Sequence, residues 1–324
     1  MSDDTQLRFD GEVALVTGAG GGLGREHAML LARRGAAVVV NDLGSPTMGG
    51  QDHSSGPADA VVEEIRAAGG TAIANSDSVA DRAGAERMVA MALDEFGQLD
   101  IVINNAGIIR NRTFLNIGEY EFEPVLDVHV KGAFFVTHPA YEHMKARGYG
   151  RIVNTSSGSG LFGSFGQTAY AAAKAAIMGF TKTLAIEGER YGIKVNAIAP
   201  GALTRMTGDV MGDGSPTADL FELSGDELAN RMGPHQVAPA VVYLAHRSCS
   251  LTGETLSAAG GRVGRAFVAV TPGIYDEDLT LEDVAERIDQ ITDETGYLVP
   301  ATVDEEIRLL RASLRPADGD DAEG

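Results

Sequence analysis

The chain has 324 residues and a formal net charge of −20, and the part from Asp276 onward holds 16 acidic against 4 basic residues. The acidic balance, with no secretory signal and no bilayer-length apolar run, predicts a cytoplasmic protein without nucleic-acid or membrane partners. Because Cys249 is the only cysteine and the 7 histidines show no ligand spacing, the composition predicts neither disulfides nor a metal site.

A glycine-rich turn follows the first predicted strand. Residues 13–17 form a short apolar run, and Gly18, Gly22 and Gly24 come before a helical pattern. Glycines let the backbone approach a pyrophosphate closely, and the amino end of a helix supplies N–H groups and a positive dipole end. The pattern predicts a dinucleotide site at Gly18, Gly22, Leu23 and Gly24.

An aspartate ends the second predicted strand, residues 37–41, close to the distance from the glycine turn that is typical of dinucleotide sites. The Asp42 carboxylate has acceptors for both ribose hydroxyls and would repel a 2′-phosphate. No basic residue occurs at 19–21 to offset that repulsion. The sequence therefore favours NAD over NADP as the cofactor.

Helix and strand patterns alternate through the middle of the chain. The next predicted elements are helix 58–68, strand 71–75, helix 82–96, strand 101–104, helix 121–147 and strand 151–155. Repeated βα units of this kind pair as parallel strands with right-handed crossovers. The expected fold is α/β, a Rossmann-type doubly wound parallel sheet with helices on both faces.

The candidate reacting groups lie between residues 157 and 174. Tyr170 and Lys174 are four apart in an alanine-rich helical run, so both side chains project from one face, one turn apart. A nearby ammonium and a cationic nicotinamide ring favour the phenolate, and lowering a phenol pKa by about 3 units takes roughly 4 kcal/mol. Tyr170 is then a general acid/base near neutral pH, and the Ser157 hydroxyl can bond the oxygen of a carbonyl or alcohol.

The remaining patterns predict a completed core and a helical appendage. They are a helix at 170–191, a strand at 194–198, a mobile lid at 205–225, a helix at 236–246 and a strand at 255–258. Two more helical patterns follow at 281–291 and 303–314, and the last residues, 317–324, are expected to be disordered. The predicted organisation is an NAD-binding domain at 1–261 and an acidic helical extension at 262–324.

Five motifs in this order resemble the short-chain dehydrogenase/reductase family. They are the glycine turn, Asn104-Asn105-Ala106-Gly107, Ser157, Tyr170-x-x-x-Lys174 and Pro200-Gly201, within a match that covers about residues 13–261. Beyond the glycine turn and Asp42, the resemblance implies cofactor contacts from Asp77, Ser78, Asn105, Ala106, Gly107, Tyr170, Lys174, Pro200, Gly201 and Thr204. Lys174 would bind ribose, Asp77 adenine and Thr204 the carboxamide. Family members also associate as homodimers or homotetramers through the long helices.

His129 departs from the family pattern. Family members commonly carry Asn at this position, where it contributes to a water relay towards the catalytic lysine. His129 is therefore a catalytic candidate, with a packing role as the equally open alternative.

A narrower likeness is to the (R)-3-hydroxyacyl-CoA dehydrogenase domains of peroxisomal multifunctional β-oxidation enzymes. It rests on the extended carboxyl end and on the segments Val40-Asn41-Asp42-Leu43-Gly44, Gly107-Ile108-Ile109-Arg110-Asn111-Arg112 and Phe165-Gly166-Gln167. Those domains also carry His at the His129 position. The likeness implies hydride transfer between C3 of a 3-hydroxyacyl-CoA and NAD. Arg110 and Arg112 are candidates for the CoA phosphates, or else surface ion-pair partners.

Two other functions stay open. The same fold and cofactor suit oxidation of a steroid or another apolar secondary alcohol, in a pocket lined by Leu203, Met206, Met211 and Leu220. The third function is a non-catalytic NAD-binding scaffold, and the intact Ser157, Tyr170 and Lys174 weigh against it.

Overall fold

The first half of the chain alternates strands and helices as predicted. The computed structural model describes residues 6–44, 56–204, 206, 227 and 230–313. Its first elements are β1 (Val13–Thr17), α1 (Gly22–Arg33), β2 (Ala37–Asn41), α2 (Gly56–Ala67), β3 (Thr71–Asn75), α3 (Arg82–Phe96) and β4 (Ile101–Asn104). Their bounds lie within two residues of those predicted, because short apolar runs and glycine turns mark them clearly.

The second half contains three elements that the sequence patterns did not predict. Its elements are α4 (Glu119–Leu126), α5 (Gly132–Arg147), β5 (Gly150–Thr155), α6 (Gly158–Phe162), α7 (Thr168–Gly188), β6 (Ile193–Gly201), α8 (Ala238–Ala245), β7 (Thr255–Ala259) and β8 (Arg262–Ala266). A π-helical turn, Asp127–Lys131, interrupts the helix expected at 121–147. This turn and the short α6 have too few residues to show a hydrophobic period, and β8 is not an apolar run.

The eight strands form one sheet whose order reverses next to β1. The order is β3-β2-β1-β4-β5-β6-β7-β8, and all neighbours from β3 to β7 pair in parallel. In such a sheet the ligand crevice lies beyond the carboxyl ends of the strands, at the reversal point. The turn after β1 and the Asn104–Gly107 segment after β4 lie at this point.

Helices cover both faces of the sheet, as the doubly wound prediction requires. Along β1, Val13 and Leu15 join a buried cluster with α3 and α5, while Ala14 and Val16 join another with α1, α2 and α8. Successive strand residues point to opposite faces, so each strand contributes to both clusters. The strands are therefore apolar on both sides, and polar residues are confined to particular positions.

Buried amides connect the carboxyl ends of β4 and β5 to the helices above them. Asn104 Nδ2 donates to Asn154 Oδ1 at 2.8 Å and to Thr137 Oγ1 of α5 at 2.9 Å. Asn154 Nδ2 in turn donates to Thr181 Oγ1 of α7 at 3.0 Å. An unpaired amide in this position would cost about 1–3 kcal/mol, so these bonds hold the ends of the two strands in one arrangement.

The chain divides into two compact units, Met1–Arg265 and Ala266–Gly324. The second unit contains α9 (Leu281–Glu286), α10 (Ile288–Ile291) and α11 (Val303–Ser313), so the helix predicted at 281–291 is broken at Arg287. Thr280 caps α9, its Oγ1 accepting the Asp283 N–H at 3.1 Å. The functional division at residue 261 stays a prediction.

Two predicted segments lie outside the described residues. They are the lid at 205–225, apart from Met206, and the carboxyl end at 317–324. Within the described part of the chain, no helix has the length and apolarity to cross a membrane.

Candidate active site

The turn after β1 has room only for glycine. A side-chain carbon on Gly18, whose φ is +62°, would lie 2.7 Å from Ala106 Cα, and one on Gly24 would overlap the Gly18 carbonyl oxygen. The helix α1 begins after Gly21 without a side-chain cap, so no side chain competes for its first N–H groups. The predicted residues Gly18, Gly22, Leu23 and Gly24 thus form a backbone cradle of the kind that holds phosphate groups.

Asn105 shapes this cradle with its side-chain amide. Its Nδ2 donates to the carbonyl oxygens of Thr17 and Gly18, both at 3.0 Å. The Thr17 hydroxyl oxygen accepts the N–H groups of Asn105 and Ala106 at 3.0 and 3.1 Å. Asn105 therefore lies where the resemblance implied, with its amide bonded to the turn.

Asp42 lies at the rim of the turn. Its Oδ2 accepts the Gly20 N–H and its Oδ1 accepts the Gly44 N–H, each at 2.8 Å. A carboxylate with two backbone donors keeps lone pairs for ribose hydroxyls. Asp42 forms no ion pair with a cation in the described part of the chain, so its negative charge stays available to discriminate against a 2′-phosphate.

The other predicted cofactor residues surround the same crevice. Asp77, after β3, accepts hydrogen bonds from Arg87 Nε and Asn75 Nδ2, both at 2.9 Å, so its carboxylate is held by the chain itself. Ser78 Oγ accepts the Ala80 N–H at 3.2 Å. Pro200 and Gly201 end β6, and the Thr204 methyl group lies 3.7 Å from the position of a Gly22 side chain. Thr204 therefore faces the glycine turn.

The structure brings Ser157, Tyr170 and Lys174 together. The Ser157 side chain lies close enough to the Tyr170 phenol to act towards lowering its pKa. Lys174 is 3% exposed, its Nζ lies 5.5 Å from the centroid of the Tyr170 ring, and it donates to the Thr155 carbonyl oxygen at 2.6 Å. The lysine, on α7, thus lies over the face of the phenol ring and is bonded to the end of β5.

The chain by itself does not lower the pKa of Tyr170, and the lowering expected from Lys174 together with a cationic nicotinamide ring stays a prediction. Burial raises the Tyr170 pKa, with only the Ser157 side chain acting to lower it. Burial also lowers the pKa of Lys174 to about 7, so this amine is only partly charged at neutral pH. In the protein alone, desolvation therefore affects the Tyr170 pKa more than the nearby lysine does. Further positive charge is needed to favour the phenolate.

His129 lies in the π-helical turn against the tyrosine. Its ring meets the Tyr170 ring edge-on, with centroids 5.3 Å apart, and its Nε2 lies 2.8 Å from the Ile108 carbonyl oxygen and 3.2 Å from the Ile108 backbone nitrogen. Burial, with a smaller contribution from Lys174, holds the His129 pKa well below its ordinary value. Gly107 lies directly on the imidazole, where a side-chain carbon would overlap Cε1. His129 is therefore a neutral ring fixed beside the reacting groups.

A small cavity separates His129 from Lys174. The centre of a water molecule can move within about 10 Å³ of this cavity, and Thr155, Asn104 and Thr17 also line it. This volume suits about one water. The buried Thr155 hydroxyl has no hydrogen-bond partner among the described residues. A water relay through His129 stays a prediction, and Thr155 is a neighbour that no sequence pattern had marked.

The two candidate arginines have different surroundings. Arg112 Nε lies 3.2 Å from Oε1 of the buried Glu121, and its Nη1 donates to the Asn111 carbonyl. Arg110 is partly buried. Arg112 is thus an ion-pair partner, which was one of the two alternatives for it. Arg110 forms no ion pair with a carboxylate in the described part of the chain.

The cradle, the aspartate at its rim and the serine–tyrosine–lysine group define an oxidoreductase that uses a nicotinamide cofactor. A family model described as short chain dehydrogenase matches residues 12–213. The chain belongs to the short-chain dehydrogenase family.

Relatives with known names share most of this chain. It is 44% identical over 303 residues to the peroxisomal multifunctional enzyme type 2 of Mus musculus, covering 92% of this chain and 39% of that protein. The chain therefore spans well under half of that relative. It is 41% identical over 249 residues to the hydroxyacyl-CoA dehydrogenase ChsB1 of Mycobacterium tuberculosis, covering 73% of each protein.

A solved structure of similar fold carries a cofactor. It is a 7α-hydroxysteroid dehydrogenase complexed with NADH and 7-oxo glycochenodeoxycholic acid, matched with a TM-score of 0.70 and 30% identity. The match covers 81% of this chain and 98% of that one.

The glycine cradle yields the first prediction. Gly24→Ala is expected to weaken NADH binding at least about tenfold, because the added methyl overlaps the Gly18 carbonyl and opens the turn. NADH fluorescence titration measures the effect. Gly179→Ala, at an open position of α7, is the matched control. An unchanged NADH affinity in Gly24→Ala would contradict the assignment of the cradle.

The buried lysine yields the second prediction. Between pH about 7 and the ordinary lysine value of 10.5, the unfolded chain holds a proton that folded Lys174 lacks. The free energy of unfolding must therefore rise with pH in this window. In Lys174→Met the rise is lost, and from about pH 7.5 to 9.5 the wild type gains about 2 kcal/mol relative to the variant. Urea unfolding without cofactor measures this, with Lys145→Met on the exposed side of α5 as control. A difference in the free energy of unfolding between wild type and Lys174→Met that is the same at both pH values would contradict the prediction.

Proposed function

We propose that the protein is an NAD-dependent dehydrogenase that transfers hydride between C3 of a 3-hydroxyacyl-CoA and NAD. The observation that carries this proposal is that the Ser157 side chain acts on the Tyr170 pKa while the buried Lys174 lies over the same phenol ring. A phenol in this setting is suited to exchange a proton with an alcohol oxygen. The adjoining cradle of glycine backbone is suited to hold the dinucleotide.

Each residue of the group has a distinct part in the proposed reaction. Oxidation removes a hydride from C3 and a proton from its hydroxyl oxygen. Tyr170, as the phenolate, takes the proton, and Ser157 donates a hydrogen bond to the same oxygen. Lys174 binds ribose and stabilises the phenolate. NAD, when bound, accepts the hydride and adds the positive charge that the Tyr170 pKa requires.

His129 is proposed as a supporting catalytic residue. Its neutral ring shares the one-water cavity with Lys174, so it can hold a water that exchanges protons with the amine. The fixed position of the ring, between Ile108 and Tyr170, supports this role over simple packing.

Asp42 supports NAD over NADP. Its carboxylate faces the glycine turn through Gly20, and a 2′-phosphate placed there would meet a negative charge.

The relatives support an acyl-CoA substrate. One relative is named a hydroxyacyl-CoA dehydrogenase, and its match covers most of both chains. Arg110 supplies a positive charge near the catalytic loop that is suited to a CoA phosphate. Exposed apolar side chains on the loops beside the reacting groups suit an acyl chain, namely Phe114, Leu115, Phe162 and Phe165.

A hydroxysteroid is the second candidate substrate. A structural neighbour of the same family is a 7α-hydroxysteroid dehydrogenase, and the same apolar side chains would also suit a sterol skeleton. A non-catalytic scaffold is disfavoured because the reacting side chains are assembled and hydrogen-bonded. The homodimer or homotetramer and the cytoplasmic location stay predictions, and the mouse relative is named peroxisomal.

The assignment of Tyr170 yields the third prediction. Tyr170→Phe is expected to lower the rate of alcohol oxidation by about 10²–10⁴-fold, because the proton acceptor is lost. NADH binding is expected to remain, since the cradle is untouched. NADH formation from 3-hydroxyacyl-CoAs and hydroxysteroids of graded size, with the exposed Tyr120→Phe as control, tests the role and the substrate class together. A Tyr170→Phe variant as fast as the wild type would contradict the mechanism, and a wild type inactive on every alcohol would favour the scaffold.

The free charge of Arg110 yields the fourth prediction. Arg110→Glu is expected to raise KM for a 3-hydroxyacyl-CoA by about tenfold, as expected for loss of one charged hydrogen bond. The matching N-acetylcysteamine thioester, which lacks the CoA phosphates, is expected to keep its KM. Arg112→Glu, which breaks the pair with Glu121, is the comparison. If Arg110→Glu has the same KM as the wild type for each of the two thioesters, the proposed contact between Arg110 and a CoA phosphate is wrong.

A further inference from the structure

The side chain of Gln167 joins two loops that flank the reacting groups. It is 5% exposed, its Nε2 donates to Asn111 Oδ1 at 3.2 Å, and its Oε1 accepts the Ser159 hydroxyl at 2.7 Å. The backbone makes the same connection, because the Arg112 N–H donates to the Gly166 carbonyl at 2.8 Å. Both polar ends of a buried amide are therefore used between the two loops.

The same residue is connected to the reacting groups at both ends. The Ser159 N–H donates to the Ser157 hydroxyl oxygen at 3.2 Å, and the Ser157 side chain acts on the Tyr170 pKa. The Gln167 carbonyl accepts the Ala171 N–H at 2.7 Å at the start of α7. A hydrogen-bonded chain thus runs from Asn111 through Gln167 and Ser159 to the catalytic serine.

The segment that follows Ser157 has little apolar packing, while the buried Ser156 before it is anchored by hydrogen bonds to the Lys174 and Ile198 carbonyl oxygens at 2.8 and 2.7 Å. Helix α6 is five residues long, contains two glycines and has no buried residue. Its close approach to α7 is made by Gly160, which lies against the Lys174 backbone and has no side chain to interlock. Apolar packing therefore contributes little to the position of Ser157, and directional hydrogen bonds must supply it.

We propose that Gln167 is a positioning residue that sets the Ser157–Tyr170 geometry by fastening the serine loop to the Asn111 loop. The inference rests on the proposed function, since Ser157 and Tyr170 are the groups that it positions. Gln167 touches neither the glycine cradle nor Asp42 in the contacts of the structure. Its loss is therefore expected to change the rate of the reaction and to leave cofactor affinity unchanged.

The first test separates rate from cofactor binding. With (R)-3-hydroxydecanoyl-CoA and NAD, Gln167→Ala is expected to lower kcat by about tenfold, the effect of misplacing a group that meets the substrate oxygen. NADH affinity, measured by fluorescence titration, is expected to stay within about twofold of the wild type. Loss of a charged contact to the cofactor would change this affinity by more than about twofold. Gln98→Ala is the matched control, because Gln98 also uses both ends of its amide, at the opposite edge of the sheet.

The second test gives a readout that simple loss of stability would not produce. Asn111→Asp keeps an acceptor for Gln167, and Gln167→Glu keeps acceptors for Ser159 and for a reoriented Asn111 amide. The double variant places two carboxylates at the former 3.2 Å contact. These repel when both are ionised and can share a proton at lower pH. Its kcat relative to wild type is therefore expected to fall as pH rises, while both single variants follow the wild-type profile.

The outcomes distinguish this inference from the function on which it rests. A wild type inactive on every alcohol overturns the proposed function and this inference with it. An active wild type with an equally active Gln167→Ala overturns the inference alone. A Gln167→Ala variant that loses NADH affinity in proportion to kcat, or a double variant whose relative kcat is independent of pH, assigns Gln167 a general structural role and also overturns it.

Discussion

The contact of one buried ammonium with one backbone carbonyl underlies the whole site. Lys174 Nζ donates to the Thr155 oxygen at 2.6 Å beneath the Tyr170 ring, in a position closed to solvent. Burying a cation without a carboxylate is costly, and the pKa of about 7 expresses that cost. The protein therefore holds a poorly solvated amine and a poorly ionised phenol side by side. Both groups respond strongly to any charge brought into the crevice, which suits a reaction that begins only when a cationic cofactor is present.

The parallel sheet explains why residues far apart in sequence meet at this contact. Strands β1, β4, β5 and β6 are neighbours, so their carboxyl ends form one edge. The glycine turn, Asn105 and Ser157 follow β1, β4 and β5, and Pro200 lies at the end of β6. The buried hydrogen bond between the side-chain amides of Asn104 and Asn154 fixes the ends of β4 and β5 relative to each other. Small shifts of the strands would therefore move the reacting groups. A rigid sheet keeps the residues of the site in fixed relative positions.

Sequence patterns predicted β1 to β6 well because these strands are short, mostly apolar runs bounded by a glycine, proline or polar residue, whereas β8 is not such a run and was missed. They did not predict the π-helical turn at Asp127–Lys131, since helices of either pitch share the same composition over five residues. That turn places His129 against Tyr170. The patterns left Arg112 open between a CoA phosphate contact and an ion pair, and only the folded chain shows its pair with Glu121 and the bond from the Asn105 amide to the glycine turn. Partners that distant in sequence leave no local signal.

The sequence by itself determined the fold class and predicted the dinucleotide turn and the reacting side chains, because these depend on spacing and on residue type. The acid–base state of those side chains was decided only by the tertiary structure. A Tyr and a Lys one helical turn apart attract in proportion to their charges, but how much charge each carries depends on how much water the fold removes. Here desolvation raises the Tyr170 pKa and lowers that of Lys174. Burial arises from every element packed around the pair, and no segment of sequence contains it.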